Sequence, residues 1–126
     1  MHSIQFIISC AVIIAQSLKP GGYLILTTPN VDSSLSRCEM IRSGYFRWFD
    51  QDNYLSNGHI TALPLFSLKR ALKEAQFDIA EISSFGKPLK SDWIGIKIRI
   101  LAALLRALDG VKSPQGEILM MIARKN

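Results

Sequence analysis

Polar and aromatic residues suited to holding a small ligand are concentrated between residues 30 and 59. His59 is one of only two histidines, and imidazole is the side chain that accepts a proton most readily near neutral pH. We expect His59 to contact the substrate or to act as a general base, with Asn30, Tyr45 and Trp48 beside it in a substrate-binding site. The alternatives are a turn asparagine, a histidine that orders its own loop, and aromatic residues that only cover the sheet.

The sequence offers no other familiar catalytic or metal-binding pattern. The two cysteines, Cys10 and Cys38, lack the spacing of a metal site or a disulfide framework. No Ser-His-Asp arrangement is present either. We therefore predict no metal ligands and expect both cysteines to behave as small buried apolar residues in a reducing, cytoplasmic environment.

Length and charge set further limits. A chain of 126 residues with 48% hydrophobic residues fits one domain with a packed core. The net charge is +5, but the 15 Lys and Arg residues are scattered, so we do not expect nucleic-acid binding. The apolar stretch from Ile4 to Ala15 is shorter than the roughly 20 residues that cross a bilayer, and we interpret it as a buried helix.

Apolar periodicity and turn residues predict an α/β fold. Residues 23–28 are almost continuously apolar, which is typical of a strand covered on both faces, and Gly21 and Gly22 form the turn before it. The remaining predictions are a helix over 31–43 capped by Asp32 or Ser33, an aperiodic segment over 44–65, a helix capped by Ser67, a strand over 77–84 with Phe77 and Ile79 on one face and Ala80 and Ile82 on the other, a helix over 92–109, and a strand over 117–124.

Three features together resemble one known family. Residues 17–30 (SLKPGGYLILTTPN) are similar to the segment that enters the fifth strand of class I S-adenosylmethionine-dependent methyltransferases, especially the small-molecule branch of types 11 and 23. His59 precedes the next helix at the family's distance. Residues 72–79 (LKEAQFDI) resemble the family's passage into its sixth strand.

The resemblance implies a partial Rossmann-like three-layer α/β sandwich. Strands 23–28, 77–84 and 117–124 would be the family's fifth, sixth and seventh, with the last antiparallel and inserted between the other two. Residues 1–126 would form a single partial domain, the C-terminal half, without the half that binds S-adenosylmethionine. In the intact family this cofactor gives its methyl group to an acceptor, here a small molecule.

Departures from the family pattern limit what we expect of this chain. The family holds its cofactor with a Gly-rich turn after a strand and a carboxylate that binds the ribose, and the sequence shows neither. We thus predict no cofactor-binding residues and no bound S-adenosylmethionine. Gln76 stands where the family usually has a glycine, and a left-handed backbone there would cost about 1 kcal/mol.

Two further expectations concern partners. The apolar strand over 23–28 should be an exposed sheet edge, through which copies of the chain could associate. The alternative to an enzyme half is a non-catalytic remnant that serves as an interaction module through the wide apolar face of residues 93–108. A membrane-surface role for that face is the weaker variant, and we do not expect it.

Overall fold

The computed structural model describes residues 2–57, 62–86 and 95–126 of the chain. Five helices and three strands form in this part of it. In order they are α1 (His2–Ser17), β1 (Tyr23–Pro29), α2 (Ser34–Ser43), α3 (Gln51–Asn57), α4 (Leu65–Glu74), β2 (Phe77–Phe85), α5 (Ile96–Leu108) and β3 (Ile118–Lys125). The predicted strands are therefore confirmed to within a residue at each end.

The three strands form one sheet in the order β1-β3-β2, and β3 is antiparallel to both neighbours. The predicted insertion of an antiparallel last strand between the other two is confirmed. Because β1 and β2 run in the same direction, their carboxyl ends lie at the same edge of the sheet. Among the described strands, β1 pairs only with β3, so its other edge is open, as the sequence predicts.

The hydrophobic core lies between α1, α4 and one face of the sheet. Its centre is formed by the alternate buried side chains of β3, Leu119, Met121 and Ala123, which pack against Ala11 and Ala15 of α1 and the apolar stripe of α4. Lys125 Nζ donates to the carbonyls of Ala15 and Leu18 at the end of α1. This contact satisfies backbone groups that a helix terminus leaves without partners.

The prediction that β1 is covered on both faces is wrong. Leu24 and Leu26 pack against the core, but Ile25 on the opposite face is 65% exposed. The reason is that α1 and α4 pack on the same face of the sheet. An apolar run without polar alternation does not reveal which face a helix will cover.

A bulge in β2 corrects a second prediction. Ile79 pairs with Ala123 and Glu81 with Ile122, so Ala80 is the extra residue. A bulge shifts the alternation by one position, and Ile82 therefore packs against the same core as Ile79. The sequence interpretation placed Ile82 on the opposite face from Ile79.

The helix termini differ from expectation at one position. Ser33 caps α2 as predicted, with its Oγ accepting from the Ser36 backbone N–H at 3.1 Å. Ser67 does not cap α4, because that helix already begins at Leu65 and Ser67 is buried in its first turn. The aperiodic segment 44–65 contains the short helix α3, and the described part of the predicted helix over 92–109 begins at Ile96.

Candidate functional site

The carboxyl end of β1 meets the segment that leads into β3, and Asn30 joins them. Its backbone N–H donates to the Glu117 carbonyl at 2.8 Å. Its side-chain Nδ2 donates to the carbonyls of Pro114 and Gly116 at 2.7 and 2.8 Å, and its Oδ1 accepts from the Asp32 N–H at 3.1 Å. Both amide hydrogens are thus used within the chain, as in a turn asparagine.

The segment over 113–117 is fixed from several sides. Gln115 Oε1 accepts from the Ser34 N–H at 3.1 Å, at the first residue of α2. Arg37 donates to Ser113 Oγ at 3.3 Å. At Gly116 a Cβ would lie 2.7 Å from the backbone nitrogen and oxygen of Phe85, so only glycine allows this approach to the end of β2.

Asp32 connects the same region to α4. Its Oδ2 accepts from the Leu65 N–H at 2.7 Å, which caps the helix from a distant position in the chain. Its Oδ1 lies 3.8 Å from Arg37 Nη2. Because Pro64 at the N-cap position makes no side-chain cap bond, the Asp32 carboxylate takes that role.

Arg47 and Glu117 form an ion pair beside this end of the sheet. Arg47 Nη2 lies 2.9 Å from Glu117 Oε1, and both side chains are largely buried. Burial lowers the pKa of Arg47, while the carboxylates of Glu117 and Glu39 act in the opposite direction. Arg47 Nε and Nη1 are buried and make no hydrogen bond to any residue that the structure describes.

Trp48 is held next to this ion pair in an unusual conformation. The guanidinium carbon of Arg47 lies 5.1 Å from the centre of the Trp48 ring, within the range of a cation–π contact. Trp48 has a φ of 71°, in the left-handed region that bulky residues rarely adopt. Such strain persists only where neighbouring contacts enforce it, and it occurs often at functional sites.

An open cavity of about 460 Å³ lies against these residues. Aromatic and charged side chains share its wall, which is formed by Glu39, Arg42, Ser43, Tyr45, Phe46, Arg47, Trp48 and Asp50. Arg42 Nη2 lies 2.6 Å from Glu39 Oε2, so both arginines have carboxylate partners nearby. The volume falls in the range of small-molecule sites.

Three of the four predicted site residues therefore belong to one neighbourhood. Tyr45 and Trp48 line the cavity, and Asn30 reaches it through Glu117 and Arg47. His59 lies outside the described residues, and the roles assigned to all four stay predictions.

Sequence reasoning missed Arg47 and Glu117. Arg47 stands between Phe46 and Trp48, which could have marked it as part of the aromatic group. Nothing in the sequence pairs it with Glu117, because the two residues lie far apart along the chain and on different elements.

The described residues do not fit S-adenosylmethionine. Gly21 and Gly22 lie at the amino end of β1, and their turn is used to bind β3, since Gly21 N–H donates to Lys125 O and Lys125 N–H to Gly22 O. In ranges 2–57, 62–86 and 95–126, no strand is followed by a Gly-rich turn. The same ranges contain no group of three His, Cys, Asp or Glu side chains able to hold a metal ion.

Comparison with known proteins identifies the family. A family model described as a methyltransferase domain matches residues 1–82, which is well over half of the chain. No curated protein and no solved structure matches the chain. The chain therefore belongs to the methyltransferase domain family, and the matched region includes α1, β1, α4 and the whole cavity-lining segment.

Proposed function

We propose that this chain forms the acceptor side of an S-adenosylmethionine-dependent methyltransferase that acts on a small molecule in the cytoplasm. The observation that carries the proposal is the methyltransferase domain match over residues 1–82. The order β1-β3-β2, with β3 antiparallel, supports assignment of these strands to the fifth, seventh and sixth of a Rossmann-like three-layer fold. Both cysteines are free thiols, which accords with a reducing compartment.

The cavity supports a small acceptor with a flat, largely apolar body. Tyr45 and Trp48 offer aromatic faces, and a ring stacked on them would gain contact area at low cost in side-chain entropy. The positive charges of Arg42 and Arg47 are balanced by Glu39 and Glu117. The cavity therefore has no strong preference for an anionic acceptor.

The residues of this chain would act mainly by positioning. When bound, S-adenosylmethionine supplies a methyl group on a sulfonium. Methyl transfer depends strongly on holding the acceptor in line, and Glu117 fixes Arg47, which in turn stacks on Trp48. Asn30 binds the carbonyls of the segment that precedes Glu117 and so holds that segment to the end of β1. A shift of β1 or of this segment would therefore move the cavity wall.

We further propose that the cofactor-binding elements lie outside residues 1–126 and that this chain alone is inactive. Isothermal titration of the chain with S-adenosylmethionine tests this. We expect no binding tighter than a dissociation constant of about 1 mM. Micromolar binding would contradict the proposal and would place a cofactor site in these residues.

Acceptor binding can be tested separately by the fluorescence of Trp48. A Trp93→Phe variant leaves Trp48 as the only tryptophan, and small phenols, anilines and thiols serve as probes. We expect saturable quenching by at least one probe class, weakened by Tyr45→Ala and unaffected by Tyr54→Ala, which alters an exposed aromatic outside the cavity lining. Absence of quenching by every class would contradict a small-molecule acceptor site here.

A non-catalytic interaction module is the second candidate function. The observation that favours it is the exposed apolar face of α5. It predicts partner binding that survives Trp48→Ala, whereas the enzyme proposal places the essential contacts in the cavity.

A further inference from the structure

Helix α5 carries an exposed apolar stripe along its full length. Ile96, Ile100, Leu104 and Leu108 are 73%, 56%, 56% and 81% exposed. They follow one another at intervals of four residues, so they lie on one side of the helix. No residue of α5 is fully buried.

Most of the stripe lies apart from the side by which α5 joins the rest of the chain, although Ile96 at its start borders a cavity shared with Cys38 and Ile41 of α2. The half-buried residues of α5 are Ile98, Leu101, Ala102 and Leu105. This side faces α2, where Cys38 Sγ lies 3.9 Å from the Ile98 carbonyl. At about 100° per residue, the stripe and the α2-facing side fall on largely separate arcs of the helix.

Basic residues lie within the stripe and on one side of it. When residues are placed at about 100° intervals, Lys97 falls inside the stripe, between Leu104 and Leu108, and Arg99 and Arg106 lie beyond its other margin. The sequence of α5, IKIRILAALLRAL, contains no acidic residue. Long basic side chains at such positions can place their charges at lipid headgroups while their methylenes cover apolar surface.

We propose that α5 docks this protein on an anionic membrane surface, with the stripe inserted at the boundary between headgroups and acyl chains. A helix of 13 residues is about 20 Å long, and it would lie parallel to the bilayer. In the part of the chain that the structure describes, no helix has the length and apolarity to cross a membrane. Surface docking therefore requires only the amphipathic side of α5.

Charge favours an anionic bilayer over a second copy of the chain. Two α5 helices that met through their stripes would bury the Lys97 charge of each copy without any acidic partner from either helix. The net charge of +5 adds repulsion between copies. An anionic bilayer instead attracts the basic side chains of Lys97 and Arg106.

The experiment is co-sedimentation of the full chain with two kinds of vesicle. One is pure phosphatidylcholine, and the other contains phosphatidylglycerol as about one third of its lipid. We expect binding to the anionic vesicles and little to the neutral ones. An Ile100→Ser/Leu104→Ser variant should bind about tenfold more weakly or worse. Lys97→Gln/Arg106→Gln should weaken binding about 30-fold, because each charge is attracted to the surface by about 1 kcal/mol.

A matched control separates the stripe from exposed apolar residues in general. Ile13 on α1 is 62% exposed, and Ile13→Ser should bind the vesicles as the unaltered chain does. Circular dichroism should show unchanged folding in all variants, because every substituted side chain is at the surface. Equal loss in Ile13→Ser, or equal binding to neutral and anionic vesicles, would overturn the proposal.

One further outcome assigns the stripe to another occupant. In this outcome the chain binds no vesicles and forms dimers in light scattering, with Ile100→Ser/Leu104→Ser monomeric. In that case the stripe is an interface between copies and the membrane proposal is wrong.

Discussion

Replacing Asn30 by alanine removes three side-chain hydrogen bonds at a buried position. Asn30 is only 3% exposed, and its amide joins Pro114, Gly116 and Asp32 at 2.7, 2.8 and 3.1 Å. Each hydrogen bond contributes about 1 kcal/mol net, and buried groups left unpaired cost more. We expect Asn30→Ala to lower the free energy of unfolding by about 3 kcal/mol.

Urea denaturation followed by circular dichroism measures this loss. With a slope of about 2 kcal/mol per molar urea, the midpoint should fall by about 1.5 M. Asn30→Asp is the sharper variant, because it keeps the acceptor for the Asp32 N–H but turns a carboxylate oxygen toward two carbonyls. We expect it to be at least as destabilising as alanine.

Asn126, an exposed asparagine at the end of the chain, provides the control. Asn126→Ala should change the free energy of unfolding by less than about 0.5 kcal/mol. If Asn30→Ala were as mild as this control, the hydrogen bonds of Asn30 would not hold the end of β1 to the segment before β3, and the reasoning would be refuted.

Three other predictions concern separate parts of the molecule. Gln76 has a φ of 65°, so Gln76→Gly should raise the free energy of unfolding by about 1 kcal/mol. The control Lys73→Gly, inside α4, should lower it by a similar amount. A destabilised Gln76→Gly would contradict the cost assigned to this conformation. Hydrogen bonds from Ser113, and to a lesser extent from Val111, hold the pKa of Asp109 below its usual range. Its stabilising contribution is therefore present above the unfolded-state pKa and is lost as pH falls through the folded-state pKa. The difference in free energy of unfolding between the unaltered chain and Asp109→Asn should shrink on acidification below about pH 4. A difference that widens there would contradict a lowered pKa of Asp109. The open edge of β1 should cause concentration-dependent association in light scattering, reduced by Ile25→Lys but not by Phe66→Lys on α4; a monomer at all concentrations would rule out association through this edge.

Much of the fold could be predicted from the sequence because it depends on local signals and on one family resemblance. The Gly21–Gly22 turn and the continuous apolar runs predict the bounds of β1 and β3 to within a residue. Gln76 stands where the family usually has a glycine, and the structure places its backbone in the left-handed region. The position of β3 between β1 and β2 came from the resemblance, since no local pattern specifies which strands pair.

The features that the sequence did not predict depend on contacts between residues far apart in the chain. The bulge at Ala80 is set by pairing with β3, and it moved Ile82 to the face of Ile79. Asp32 replaced Ser67 as the cap of α4 because its carboxylate reaches Leu65 across the fold. For the candidate site, the aromatic residues were visible in the sequence, whereas the ion pair that holds Arg47 was not.

Methyl transfer by a completed domain tests the central claim most directly. A cofactor-binding segment from a methyltransferase of the same family, fused ahead of α1 so that this core helix is kept, should restore binding of S-adenosylmethionine. Transfer of labelled methyl to the small acceptors that quench Trp48 is then measured. We predict transfer that Trp48→Ala reduces and Tyr54→Ala does not. A fusion that binds the cofactor but transfers no methyl group to any of these acceptors, or one equally active with Trp48→Ala, would contradict the account.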